Sequence, residues 1–412
     1  MGMFLKKYRI YSVLLICLCM VCSCSNENVK DNPKFNWTES TETGVTIDIG
    51  KIVQEQIDLD NYSLEYNEQT DMPSFFLWNT LALSENGCYF WQNMNLKFYD
   101  FQSKKSVYVC GKPECTHGFN SECDSYFKED NIWFQANMLQ YYDGYIYMIG
   151  SVRENSVEKI ILYKVSTDGR TREPYMELFR TEQNIVVGEN GQTALVGQPV
   201  SACIHQGYIY YNVINETPLK IRRMKLGDTQ SETIYTVSGE RGALYRLKAY
   251  GDYLLFQSGN FVDDKQIDIQ AGIFAYNIRT GEVTFIKKNA VNSYCIYDKT
   301  LYYSSPGEIR TFSLETQEDR LLIRHGAGYL SCYADEKYVY TFGSKTLDVY
   351  NHEGNKICSV VDKNISLCMY GASGMLFAET RGTGKDNLAV IYTDDFADGS
   401  ARWSYIGEYG VD

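Results

Sequence analysis

The chain has 412 residues, 35 of them Tyr and only 7 Pro, with 14% aromatic, 22% charged and 44% hydrophobic residues. That hydrophobic share can bury a sizeable core and excludes a disordered bulk, and a mean hydropathy of −0.33 with a single apolar run excludes a multi-span membrane protein. A formal charge of −13 argues against a phosphate backbone, and so against nucleic acid, as partner.

Lys6, Lys7 and Arg9 precede residues 10–23, a mostly apolar run. It is too short to cross a bilayer comfortably and reads as the h-region of a secretory signal. The run ends in Val21, Cys22, Ser23 and Cys24, followed by the polar Ser25, Asn26, Glu27 and Asn28. An aliphatic residue three places before a cysteine, and a small one directly before it, resembles the signal of bacterial lipoproteins. The resemblance implies removal of residues 1–23 and lipidation of Cys24, whose two kinds of acyl linkage supply the two hydrophobic signals that stable anchoring needs. Without that processing the run is a plain secretory signal or an uncleaved anchor. Losing Lys6, Lys7 and Arg9 takes the formal charge from −13 to −16. The rest of segment 24–44 is polar and nearly free of aliphatics, which predicts a disordered tether. The expected location is therefore extracytoplasmic, on a bacterial membrane.

From residue 45 onward one phrase recurs: a polar turn with Gly or Asp, then alternating Tyr, Ile, Leu and Phe. Its copies lie at 86–92, 139–148, 203–213, 247–256, 295–303, 332–340 and 368–377. Gly87 and Gly374 bracket six intervals averaging about 48 residues. Each phrase leads into further strand patterns and polar hairpins, clearest at 161–170, 221–237, 274–286, 309–323 and 347–361. No segment carries a convincing 3.6-residue apolar period. A period in the forties with about four short strands per unit predicts an all-β chain: a single β-propeller of about seven four-stranded blades. The stretch from Gly207 to Tyr235, GYIYYNVINETPLKIRRMKLGDTQSETIY, resembles the repeat of the propeller family related to the YWTD domain of the low-density-lipoprotein receptor, common in bacterial lipoproteins. The likeness extends as a weak pattern over about 75–410. Residues 45–49 alternate with period two and predict a strand that closes the ring against 403–409.

Nine cysteines lie beyond the signal, and an odd count argues against a complete disulfide framework. Cys203, Cys295, Cys332 and Cys368 hold nearly the same place in four repeats and read as small buried thiols, which suits an anaerobic habitat. A ring of them around the channel holding a soft metal is the rival reading. Cys110, Cys115, His117 and Cys123 form Cys-x4-Cys-x-His-x5-Cys in an insertion at about 108–126. Three thiols and an imidazole can supply a closed tetrahedral Zn²⁺ site of structural type, with Pro113 and Gly118 letting the loop fold back. A disulfide among the three cysteines, perhaps involving Cys88, and uncoordinated thiols are the alternatives. The cluster resembles a cysteine–proline–cysteine–histidine insertion of propeller lipoproteins in anaerobic Firmicutes.

No catalytic residue is predicted. His205, His325 and His352 read as solvated turn or loop residues, and no Gly-x-Ser-x-Gly elbow, phosphate loop or His-Glu-x-x-His occurs. The acid pairs Asp58/Asp60, Asp263/Asp264 and Asp394/Asp395 read as solvated loops. The expectation is a monomeric binding or scaffold propeller for a protein, peptide or glycan at the envelope, more a binder than an enzyme. Two alternatives stand beside it: a carbohydrate-active enzyme using carboxylates on channel-facing loops, and a sensory partner of a membrane signalling protein.

Overall fold

In a computed structural model the described residues form seven four-stranded antiparallel blades, each contiguous in sequence with its strands in chain order. The residues described are 40–47 and, apart from short interior stretches, 81–406. The blades span 81–108, 132–182, 199–237, 242–288, 294–324, 331–361 and 365–406, numbered 1 to 7 in that order. All seven copies of the recurring phrase fall on the turn between the first two strands of a blade and the strand that follows it.

The strand patterns follow from what covers each sheet. A middle strand is covered on both faces by neighbouring blades, so alternation gives way to a nearly continuous apolar run. Thr300–Ser305 (TLYYSS) and Tyr208–Val213 (YIYYNV) are buried along almost their whole length. Outer strands reach solvent on one side and alternate, as in Lys105–Tyr108 and Lys356–Val361. Seven buried clusters hold the ring, and each straddles one blade junction. Leu162 and Tyr211 meet in the cluster between blades 2 and 3, and Tyr235 and Phe274 in the one between blades 3 and 4. Further clusters join blades 4 and 5, 5 and 6, 6 and 7, and 1 and 2. The seventh packs Cys88, Phe90 and Tyr99 of blade 1 on Phe377, Val390 and Ile406 of blade 7.

Among the described residues, ring closure therefore comes from face packing of blade 7 on blade 1. The predicted N-terminal strand exists but sits elsewhere: Ser40–Ile47 pairs in parallel with Ser231–Val237, the outer strand of blade 3. It starts within the stretch expected as a tether. Alternation marks a strand without saying which edge it joins, and the outer edge of blade 3 is one such edge.

Tyrosine hydroxyls stitch the junctions that their rings fill. Tyr99 and Tyr392 share a hydrogen bond of 2.7 Å between blades 1 and 7. Tyr211 donates to the Leu178 carbonyl at 3.0 Å, Tyr294 to the Arg246 carbonyl at 2.8 Å, and Tyr235 to Ser258 at 3.1 Å. Gln140 spans blades 2 and 3 with both amide atoms, donating to the Ile204 carbonyl and accepting the Ile204 N–H, each at 2.7 Å. The high Tyr count is thus explained largely by blade assembly.

A charged stitch joins blades 4 and 5. Asp319 accepts from Lys287, from the Tyr303 hydroxyl at 2.8 Å and from Arg310 Nε at 2.9 Å. Burial raises the Asp319 carboxyl, but these donors outweigh it and hold its pKa below the ordinary value. A depressed folded pKa adds stability above the unfolded value of about 3.9, and that stability is lost as pH falls through the folded value. Asp319→Asn is expected to cost about 1–2 kcal/mol at pH 7. The gap to the parent protein in urea midpoints should narrow as the pH is taken down through the ordinary carboxylate range and below it; a gap that stays constant throughout would remove the carboxylate from the account.

Candidate metal centre

The four predicted ligands come together in the connection that leaves blade 1. Val109 continues the outer strand by donating to the Leu96 carbonyl at 3.0 Å, and the chain returns where Leu96 N–H donates to the Ser125 carbonyl at 2.8 Å. Both ends of the excursion are therefore tied to one fully buried residue. Between them, one ligand atom each of Cys110, Cys115, His117 and Cys123 lies within 4.8 Å of the other three. The cluster could hold a metal ion. His117 takes a left-handed backbone, φ 58°, a strained choice for a non-glycine residue. That turn lays its ring on Tyr108, with centroids 4.9 Å apart and planes 16° from parallel.

Each sulfur accepts a backbone N–H from two residues further on. His117 N–H donates to Cys115 Sγ at 3.4 Å; Lys112 N–H serves Cys110, joined by Asp124 N–H, and Ser125 N–H serves Cys123. Such donors stabilise thiolate over thiol. Burial raises the Cys110 thiol, but the N–H groups outweigh it and bring its pKa below the ordinary thiol value. At Cys123 burial wins, and the thiol is pushed up to about 11. Behind Cys123 the Ser125 hydroxyl lies 3.0 Å from the sulfur and 3.0 Å from Asn95 Oδ1. Lys112 pairs with Asp124 at 2.8 Å beside the cluster, and Asp124 also accepts the Gly111 N–H at 3.3 Å.

None of the eight described cysteines is paired in a disulfide. Cys88 in particular lies in the core between blades 1 and 7, which removes it as a partner for the cluster. Cys203, Cys295 and Cys332 are buried thiols, as expected, but they sit in the cores between blades and do not line a channel as a metal ring. Burial pushes the Cys203 thiol up to about 12, so it stays protonated and inert. The side chain of Cys368 lies outside the described residues.

Two histidines read as solvated prove to be structural. His205 is buried and hydrogen-bonds through Nε2 to the Gly251 carbonyl at 2.6 Å, bridging blades 3 and 4. His352 is half-buried between the Tyr302 hydroxyl and the Asp335 carbonyl, each at 2.9 Å. His205 ends a strand and His352 sits in a turn, and each reaches a neighbouring blade, which a local sequence window does not reveal. Of the acid pairs, Asp394/Asp395 lies in the short 3-10 turn Thr393–Phe396, and the 81%-exposed Asp394 pairs with Lys337 at 2.6 Å. Asp58/Asp60, Asp263/Asp264 and the lipobox cysteine Cys24 lie outside the described residues. The residues missed in the sequence are Asn95, Arg170 and Arg172, hidden by their distance in the chain from the cysteines, and Ser125, which lies two residues after Cys123 but is not a ligand type.

No protein family matches this chain, and no curated protein resembles it significantly. Solved structures share its fold. A prolyl endopeptidase aligns with a TM-score of 0.50 at 8% identity, over 82% of this chain and 50% of that one. A chain of a nidogen–laminin complex aligns at 0.37 and 8%, over 66% and 92%. An acylaminoacyl peptidase of Pyrococcus horikoshii aligns at 0.43 and 11%, over 66% and 45%. This chain spans half the length of the prolyl endopeptidase it matches. At such identities the likeness is one of fold alone.

Proposed function

We propose that this protein is a lipid-anchored, extracytoplasmic propeller that binds or scaffolds a protein, peptide or glycan at a bacterial envelope. Its fold is consistent with a binding or scaffold role, and its repeat resembles the propellers related to the low-density-lipoprotein receptor. The observation that carries the reading is the use made of three of its four histidines. His117 belongs to a cluster of four protein ligands, which leaves no open coordination position. His205 and His352 hold blade to blade. These three histidines build the scaffold, and connecting loops are where such a scaffold recognises partners. The metal that three thiolates and an imidazole favour is Zn²⁺.

Anchoring is tested in the full-length protein made in a bacterium that processes lipoproteins. Mass spectrometry of the purified protein should find an N-terminus at Cys24 that carries the added mass of its acyl groups, and a Cys24→Ala variant should carry none. A native protein whose Cys24 is unmodified would refute the lipid anchor. For the binding role, the protein is immobilised and presented with solubilised envelope and with arrayed glycans. Saturable, stoichiometric capture is the expected result; steady turnover of a glycan without retained product would overturn it in favour of an enzyme.

A further inference from the structure

We infer that zinc at Cys110, Cys115, His117 and Cys123 is the clasp between blades 1 and 2, an inference that rests on the zinc reading above. One edge of the cluster matches a tetrahedral ion. Zn–S of about 2.3 Å and Zn–N of about 2.0–2.1 Å place a ligand sulfur and nitrogen roughly 3.6 Å apart along a tetrahedral edge. Cys123 Sγ and His117 Nδ1 lie 3.7 Å apart. The three i+2 N–H donors supply the outer hydrogen bonds that orient thiolate ligands and temper their charge. Three thiolates, a neutral imidazole and Zn²⁺ carry one net negative charge, and the Lys112 ammonium sits beside it.

What the loop does is shown by its contacts with the next blade. Arg170 donates to the Gly111 carbonyl through Nε at 3.3 Å and Nη2 at 3.1 Å. Arg172 donates to the Tyr126 carbonyl at 3.2 Å and stacks its guanidinium 4.3 Å from the Phe127 ring centroid. Both arginines belong to the outer hairpin of blade 2, between Val157–Ser166 and Arg172–Glu182 or at its start. The two carbonyls they grip lie one residue after Cys110 and three after Cys123. An ion joining Cys110 to Cys123 fixes the separation of those carbonyls. Without it, the stretch from Gly111 onward, between the two Leu96 ties, has little core of its own to hold its register against Tyr126, which is bridged to Asn95.

The test uses the mature protein, purified under reducing conditions, with its metal content measured. One equivalent of zinc is expected, and Co²⁺ loaded in its place should show the visible bands of a tetrahedral thiolate site. Hydrogen exchange is then compared before and after zinc is stripped with a chelator. Amides at 96–127 and 167–172 should exchange faster by about tenfold or more, while those of 246–256, in the first two strands of blade 4, keep their rates. A double variant, Arg170→Ala with Arg172→Ala, should retain its zinc and still loosen 167–172. Less than a tenth of an equivalent of zinc, or a disulfide among the three cysteines in the native protein, overturns the zinc reading and the clasp together. Full zinc whose removal leaves 167–172 unchanged, or unfolds the whole ring at once, overturns the clasp and leaves the zinc reading standing.

Discussion

Phe274→Ala is expected to lower the stability of the propeller by about 3–5 kcal/mol, the range for truncating a fully buried Phe. Phe274 is completely inaccessible, and its ring meets Phe285 at 5.2 Å, Phe256 at 5.7 Å and Tyr235 at 5.8 Å between centroids. Phe256 and Phe285 share its sheet, whereas Tyr235 belongs to blade 3. The side chain is thus the centre of an aromatic group that spans two blades. Removing it opens a cavity which neither sheet can close alone, because backbone ladders fix the strands on either side. Phe274→Leu retains part of the volume and should cost about 1–1.5 kcal/mol. Val361→Ala, at a side chain 71% exposed on the outer strand of blade 6, should stay within about 0.5 kcal/mol. Urea midpoints followed by circular dichroism rank the three. A Phe274→Ala midpoint no lower than that of Val361→Ala would mean that the junction cluster does not hold the ring.

The same cluster shows how much of the architecture can be read from sequence and where reading stops. The phrase that ends at Phe256 announces a blade because a strand buried on both faces must be apolar along its length, and this property is local. All seven blades and their order follow from it. Closure is not local. The alternation in Val45, Ile47 and Ile49 is compatible with any free edge, so the strand predicted to meet 403–409 instead joins Ser231–Val237. The ring is closed by contacts such as Tyr99 with Tyr392, 293 residues apart. The metal cluster divides in the same way. Its four ligands are legible because they fall within fourteen residues, close enough for spacing alone to suggest a common ion. Asn95, 30 residues before Ser125, and Arg170, 59 residues after Gly111, carry no mark of their own. They acquire a role only when blade 2 is laid against blade 1. His205 and His352 escape a local reading for the same reason: His205 ends a strand and His352 sits in a turn, and the carbonyl that each bonds comes from another part of the chain.

The junction that the metal loop occupies can be probed without touching a ligand, through two glycines of equal backbone strain. Gly169 and Gly207 both have φ +77°, so alanine at either position pays a similar left-handed penalty of about 1 kcal/mol. Their surroundings differ. A Cβ at Gly207 meets nothing within 4 Å, whereas one at Gly169 would lie 2.3 Å from the Val109 carbonyl oxygen and 3.2 Å from its Cγ1. The Val109 carbonyl is backbone, and its residue is tied to Leu96, so it cannot swing aside as a flexible side chain would. The outer hairpin of blade 2 must lift from blade 1 instead, carrying Arg170 away from Gly111. Gly169→Ala is therefore expected to cost about 3 kcal/mol and Gly207→Ala about 1 kcal/mol. Thermal midpoints of the two variants provide the comparison. A second readout follows from the position of Val109 directly before Cys110: zinc should pass to a chromogenic chelator faster from Gly169→Ala than from Gly207→Ala, by about tenfold if the hairpin helps hold the loop. Equal midpoints would show that the hairpin and the metal loop are not in the close contact described, and equal release rates with unequal midpoints would show that blade packing and metal retention are separate.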